Sequence, residues 1–307
     1  MGHILIGTTS WTEKTLIESG LFYPPDVRTA EARLRYYAER FPIVEVDSSY
    51  YTLPSERNAL LWVRRTPEGF VFDIKAFRLF TQHQTPPSSL PADVRRAVKG
   101  AEKANLYYRD LAPELLDELW SRFRAGIAPL KKAGKLGVVL FQFPPWFPCR
   151  PASLEHIVEC ARRLEGCRVA TEFRNRSWFD ERHREQVIRF ERANGLAHVV
   201  VDEPQGFSSS VPAVWEVGSP DVVVVRLHGR NRDTWRKAGL TAAERFNYLY
   251  SVAELRELVA PIREIAARVT QVHVLFNNCH GDYAVRNAAE LRRLVENPQA
   301  DAEGARE

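Results

Sequence analysis

Acidic and basic side chains recur at the C-terminal ends of short apolar runs in this 307-residue chain. Glu45 and Asp47 lie in Ile43–Ser49, and Asp73 and Lys75 in Phe70–Ala76. Glu172 and Arg174 close Arg168–Arg174, Asp202 ends Ala197–Asp202, and Arg226 and His228 end Val222–His228. Residues two apart share a face of a strand, so each of these pairs points one way. Carboxylates beside a lysine have environments that pull their pKa values apart, which acid/base chemistry uses. A lysine stabilises developing negative charge or, when burial lowers its pKa, acts as a Schiff-base nucleophile. The candidate catalytic residues are therefore Glu45, Asp47, Lys75, Glu172, Asp202 and His228. A buried charge without a partner is costly, so such a lining either pairs with itself as a structural network or holds a ligand. Polar residues at the ends of all the apolar runs favour the ligand.

The candidate substrate-binding residues surround this set. Arginine forks match phosphate or carboxylate oxygens, which singles out Arg174, Arg226 and, in the loop His228-Gly229-Arg230, Arg230. Ser10, Gln142, Asn277 and Asn278 add neutral polar groups at other run ends. Trp11, Tyr50 and Trp178 offer faces for a sugar or base. Other aromatics there, such as Trp146 and Trp235, read equally well as rim packing. Glu172, Asp202 and His228 are the ligand types a divalent metal would use, but the neighbouring Lys75, Arg174 and Arg226 would repel the ion. No metal or cofactor is expected. His183 and His198 read as structural and Cys279 as a free thiol. The loop 277–282 leads into a helix whose N-terminus favours an anion, and Asp282 reads equally as a simple cap of that helix.

These residues need strands to carry them. Eight apolar runs, from Ile4–Ser10 to Gln271–Asn278, alternate with helical patterns. Runs such as Val222-Val223-Val224-Val225 have the look of parallel strands buried on both faces. Eight strands alternating with helices predict an α/β fold, a single (β/α)8 TIM-type barrel over residues 1–297. An open doubly wound sheet would want a glycine-rich turn after the first strand, and none is present. Residues 77–135, between strands three and four, form a long insertion with a helix around Pro113–Lys132. Glu203–Asp221 reads as a loop, Thr241 starts a long helix reaching about Arg268 with an interruption near Pro261, and 298–307 read as a flexible C-terminal tail.

Composition sets the outer bounds. The chain is 45% hydrophobic and 27% charged, which excludes disordered and coiled-coil classes. No apolar run is long enough for a bilayer, and the first residues lack the basic segment of a signal peptide. Four sparse cysteines match no zinc spacing and predict reduced thiols in a cytoplasmic protein. A net charge of +4 permits an anionic partner without requiring one.

An ordered set of motifs carries a family resemblance. It includes Gly7-Thr8-Thr9-Ser10-Trp11, Phe22-Tyr23-Pro24, Val44-Glu45-Val46-Asp47-Ser48-Ser49-Tyr50-Tyr51 and Phe141-Gln142-Phe143-Pro144-Pro145. Glu172-Phe173-Arg174-Asn175-Arg176-Ser177-Trp178, Arg226-Leu227-His228-Gly229-Arg230 and Phe276-Asn277-Asn278 follow. Their order and spacing resemble the YecE-like family, also called domain of unknown function 72, over almost the whole chain. The resemblance implies a TIM-type barrel with a polar pocket at its C-terminal face, and implies no particular activity. Three positions depart from the family pattern: Ser10 for a glycine, Asp47 for an asparagine, and Gln82 inserted between Thr81 and His83.

The functional expectation is an enzyme acting on a small anionic substrate, a phosphorylated sugar or nucleotide-like molecule, by isomerisation, lysis or hydrolysis. A nucleic-acid-binding protein is a weaker alternative, because Lys and Arg are interspersed with Asp and Glu and form no basic stripe. A non-catalytic small-ligand module would present the same pocket.

Overall fold

A computed structural model describes residues 2–98 and 103–297. Eight parallel strands close into a barrel in chain order: β1 (His3–Thr8), β2 (Ile43–Val46), β3 (Val71–Lys75), β4 (Leu136–Gln142), β5 (Arg168–Glu172), β6 (Ala197–Asp202), β7 (Val222–Leu227) and β8 (Gln271–Phe276). β8 closes on β1 in continuous register from His3↔Gln271 to Thr8↔Phe276. The valine run of β7 is buried on both faces because one face meets the barrel interior and the other the surrounding helices.

The helices between strands follow local capping chemistry. The hydroxyls of Thr29, Ser55 and Ser251 each accept a backbone N–H in the first turn of the helix that follows. Residues 77–135 hold the short helix Ala92–Ala97 and the long helix Pro113–Lys132, whose Trp120 stacks on Phe80 at 3.7 Å between centroids. Proline at its first position fits where no N–H is needed. Residues 203–221 form a loop, as the sequence suggests.

One helix differs from expectation. The Thr241–Glu244 box caps only Ala242–Arg245; an extended stretch follows, and a second box, Ser251–Glu254, starts Val252–Ala266. Pro261 lies inside that second helix without ending it. The break comes from competing caps rather than from the proline. The 298–307 tail lies outside the described residues. Among those described, no helix is long and apolar enough to cross a membrane.

Candidate active site at the barrel mouth

The register of the strands decides which side chains enter the barrel. Glu45, Glu172 and Arg226 do so, and they have no exposed surface. Arg226 Nε and Nη2 donate to Glu45 Oε2 and Oε1 at 2.9 and 2.8 Å, and its Nη1 donates to Glu172 Oε2 at 2.5 Å. Glu172 Oε1 also accepts from Arg174 Nε at 2.6 Å and Gln142 Nε2 at 2.7 Å. Arg174 continues the chain. Its Nη1 donates to Glu203 and its Nη2 to His228 Nε2 at 2.9 Å. His228 Nδ1 lies 2.7 Å from the Asn277 amide, and Thr9 Oγ1 donates to Asn277 Oδ1 at 2.7 Å.

This network joins three carboxylates, Glu45, Glu172 and Glu203, to two guanidiniums, Arg174 and Arg226. Burial and the Arg174 charge hold His228 well below the ordinary histidine range, so it is neutral. Burial disfavours the Glu172 anion, but Arg226 and Arg174 outweigh it and hold that carboxyl well below its ordinary value. Burial pushes Glu45 and Glu203 up to about 7, against the pull of Arg226 and Arg174. The third negative charge thus has no cation of its own, and the network holds a proton near neutrality.

Above the network the mouth opens. Lys75 Nζ donates to Asp47 Oδ1 at 2.7 Å and stands 4.8 Å from the Tyr50 ring centroid. Asp47 is a third exposed. It sits not in β2 but in the turn Asp47–Tyr50, pinned by Ser49, whose Oγ lies 2.7 Å from both Val46 O and Lys75 O. Beside this pair is a cavity of about 220 Å³, walled by His83, Gln142, Arg174 and Arg245 and by the apolar faces of Pro144, Pro145, Trp235 and Phe246. Arg174 keeps one N–H on each terminal nitrogen beyond those it uses in the network. Arg245 is anchored by Trp235 O at 2.6 Å and Lys237 O at 3.2 Å.

A model of the family described as "Protein of unknown function DUF72" matches residues 5–306. The chain belongs to the DUF72 family. It is 34% identical over 296 residues to the UPF0759 protein YunF of Bacillus subtilis (strain 168), covering 95% of each chain. Crystal structures of DUF72 family proteins resemble it throughout. One from Enterococcus faecalis V583 is 26% identical with a TM-score of 0.78 and 96% of both chains covered. One from Thermotoga maritima MSB8 is 28% identical with a TM-score of 0.75, covering 96% of this chain and all of the other. The expected family and barrel are thereby established.

In this DUF72 protein the site residues expected from the sequence separate into three groups. Glu45, Glu172, Arg174, Arg226, His228, Gln142 and Asn277 are joined in one network, and Lys75, Asp47 and Tyr50 form the neighbouring rim. Of all these, Gln142 and Arg174 line the cavity; Arg226 does not, and is held by Glu45 and Glu172. Asp202 and Arg230 pair with each other at 2.8 Å on the outer side of β6, where Asp202 also accepts from Tyr250 Oη at 2.7 Å. Glu172, Asp202 and His228 are therefore not gathered as a ligand set. Among the described residues no group of three acidic, histidine or cysteine side chains is placed to hold a metal ion.

The third group is structural. Trp11 packs edge-on against Trp62, Trp178 stacks on Phe173 at 3.9 Å with its Nε1 donating to Phe147 O, and Asn278 donates to Tyr248 O and Asn287 Oδ1. Ser10 Oγ accepts from Thr12 N within its own turn. Sequence reasoning missed Glu203, His83, Arg245 and Phe246. Glu203 follows Val199 and Val201 at two-residue spacing, but Asp202 follows His198 and Val200 in the same way, so the spacing alone does not single it out.

Proposed function

We propose that this DUF72 protein is an enzyme that takes a small anionic substrate of the phosphorylated sugar or nucleotide-like kind at the barrel mouth and acts on it by acid/base chemistry. The observation that carries the reading is the cavity of about 220 Å³ with arginines on its wall and a proton-holding network beneath it. The free N–H groups of Arg174 and Arg245 take the anion. Trp235 and Phe246 supply flat faces for a ring. Glu172 fixes the orientation of Arg174, so the fork meets the ligand without reorganising. Lys75, held by Asp47 at the open rim, stabilises the negative charge that develops. Four cysteines without disulfides support a cytoplasmic location.

A thermal-shift screen with phosphorylated metabolites tests this. A ligand at a hundred times its Kd stabilises the native state by about 2.7 kcal/mol, and Arg245→Ala should remove the shift. If no anion shifts the melting temperature of the unmodified chain, the anion reading is lost. Once a ligand is in hand, turnover that is lost in Lys75→Met distinguishes an enzyme from a binding module.

A further inference from the structure

His83 lines the cavity beside Arg174 and Gln142, yet it takes no part in the network below. Its backbone is held from both sides: His83 N donates to Arg78 O at 3.1 Å, and Thr85 Oγ1 donates to His83 O at 3.0 Å. The preceding Gln82 has φ +64°, the left-handed region, the only non-glycine residue there among those described. Its carbonyl accepts from Trp146 Nε1 at 3.2 Å. The residue inserted between Thr81 and His83 is thus absorbed as a left-handed bulge, and the imidazole still reaches the mouth. Its ring meets Tyr50 and Trp146 edge-on at 5.2 and 5.7 Å between centroids.

The ring's hydrogen bonding defines its tautomer. Thr81 Oγ1 lies 2.8 Å from His83 Nδ1 and 3.1 Å from Arg78 O. A hydroxyl carries one proton. Only when His83 is protonated at Nδ1 are both contacts hydrogen bonds, with Thr81 accepting from the ring and donating to the carbonyl. The electrostatics agree. Lys75 from β3, Arg78 from the turn beyond it and Arg174 from the end of β5 all act on the ring, and a lone pair suits that cationic setting better than an N–H does. Lys75 is itself paired with Asp47, and Arg174 with Glu172 and Glu203.

We infer that His83 is the proton acceptor of the mouth, held as the Nδ1–H tautomer with its Nε2 lone pair presented to the substrate. The inference rests on the anion reading of the cavity and adds its base. In the step, a substrate O–H breaks heterolytically: the proton passes to Nε2 and the electron pair stays on oxygen. The imidazolium then returns the proton to the product, so no oxidant or reductant is needed. Burial and the three cations push the free imidazole down to about 3, so it is neutral and idle without ligand. An anion on Arg174 offsets those cations and strengthens the base, which ties proton transfer to the charge of the correct substrate.

Nitrogen-15 histidine spectra of the full chain test this, with His83→Gln assigning the signal. The expected result is a protonated Nδ1 and an unprotonated Nε2 in the free protein, with Thr81→Val losing that preference. Inorganic phosphate at pH 6 should move the His83 ring toward protonation and leave unchanged the histidines other than His228, which Arg174 also touches. An Nε2–H tautomer in the free protein overturns the inference, as does phosphate binding that leaves the His83 signals still. If phosphate binds nowhere near Arg174 and Arg245, the anion reading falls instead, and the tautomer alone decides His83.

Discussion

Arg226 and Glu45 meet edge to edge across the barrel interior, two parallel hydrogen bonds of 2.8 and 2.9 Å between side chains with no exposed surface. The pair comes from β7 and β2, far apart in the chain, so it forms only when the barrel closes. Its third nitrogen extends the contact to Glu172, which makes Arg226 the joint of the network. Removing it leaves two buried carboxylates facing one another. Arg226→Met should destabilise the fold by about 3–5 kcal/mol, read as a lower midpoint in urea. Adding Glu45→Gln to that variant should restore part of the loss, because the stranded charge goes with it. Were the double variant no more stable than the single one, the stranded-charge account would fail.

The surplus carboxylate predicts a pH dependence with an unusual sign. Burial raises Glu45 and Glu203 in the folded chain to about 7, so the native state binds more protons than the unfolded one. Their contribution is present at acid pH and is lost as pH rises from about 4.5 toward 7. Glu172, held low, acts in the opposite sense and only below its ordinary value. His83, His156 and His228, held below the ordinary histidine value, act in the opposite sense up to about 6.5. Urea titrations between pH 4.5 and 7.5 should therefore show the Glu203 contribution as a difference: the parent loses stability relative to Glu203→Gln as pH rises. Equal slopes in the two proteins would place the proton elsewhere.

Much of this was legible in the residues. Valine-rich runs separated by amphipathic stretches specified the barrel, because strands buried on both faces must be apolar throughout. Two-residue spacing picked out Glu172 with Arg174 and Arg226 with His228, which do share the interior. The same property hid β6. In a strand apolar on both faces, nothing in the pattern says which parity points inward, so the sequence favours Asp202 although Glu203 is the residue that reaches Arg174. Asp47 lies in a turn and not in the strand: Asp47-Ser48-Ser49 are turn-forming residues, and the even spacing of Glu45, Asp47 and Ser49 masks that break. His83 depends on the left-handed backbone of Gln82, a conformation glutamine does not advertise.

A second titration should appear on the alkaline side. His198 is wholly buried, with Nδ1 2.9 Å from Glu191 Oε2 and Nε2 2.9 Å from Val214 O. Both ring nitrogens face acceptors, so both carry protons. Burial alone would lower its pKa, but the Glu191 carboxylate more than reverses that, and the net shift is upward. The stabilisation is complete below the ordinary histidine value of about 6.5 and is lost as pH passes the raised folded value. Because Val214 belongs to the loop after β6, amide exchange in 203–221 should speed up in that range. Glu191→Gln should shift the change to lower pH; a profile indifferent to that substitution would rule out the pair as its source.

The floor of the barrel depends on an absent side chain. Phe72 pairs with Leu136 and Ile74 with Val139, so Gly137 and Val138 of β4 together stand opposite Asp73 of β3. The bulge lets Asp73 Oδ1 accept from Val138 N at 2.9 Å while Oδ2 lies 2.9 Å from His273 Nδ1, all without solvent contact. A β-carbon on Gly137 would lie 2.1 Å from Asp73 Oδ1 and 3.0 Å from His273 Cε1. Neither neighbour can withdraw without giving up its buried hydrogen bond. Gly137→Ala should therefore cost about 1–3 kcal/mol as overpacking, a large effect for one methyl group. Urea denaturation measures it, and His273 Nδ1 should shift in the nitrogen-15 spectrum as Asp73 is displaced. A variant as stable as the parent, with His273 unmoved, would mean that β4 slides in register and that the glycine is not what holds the bulge.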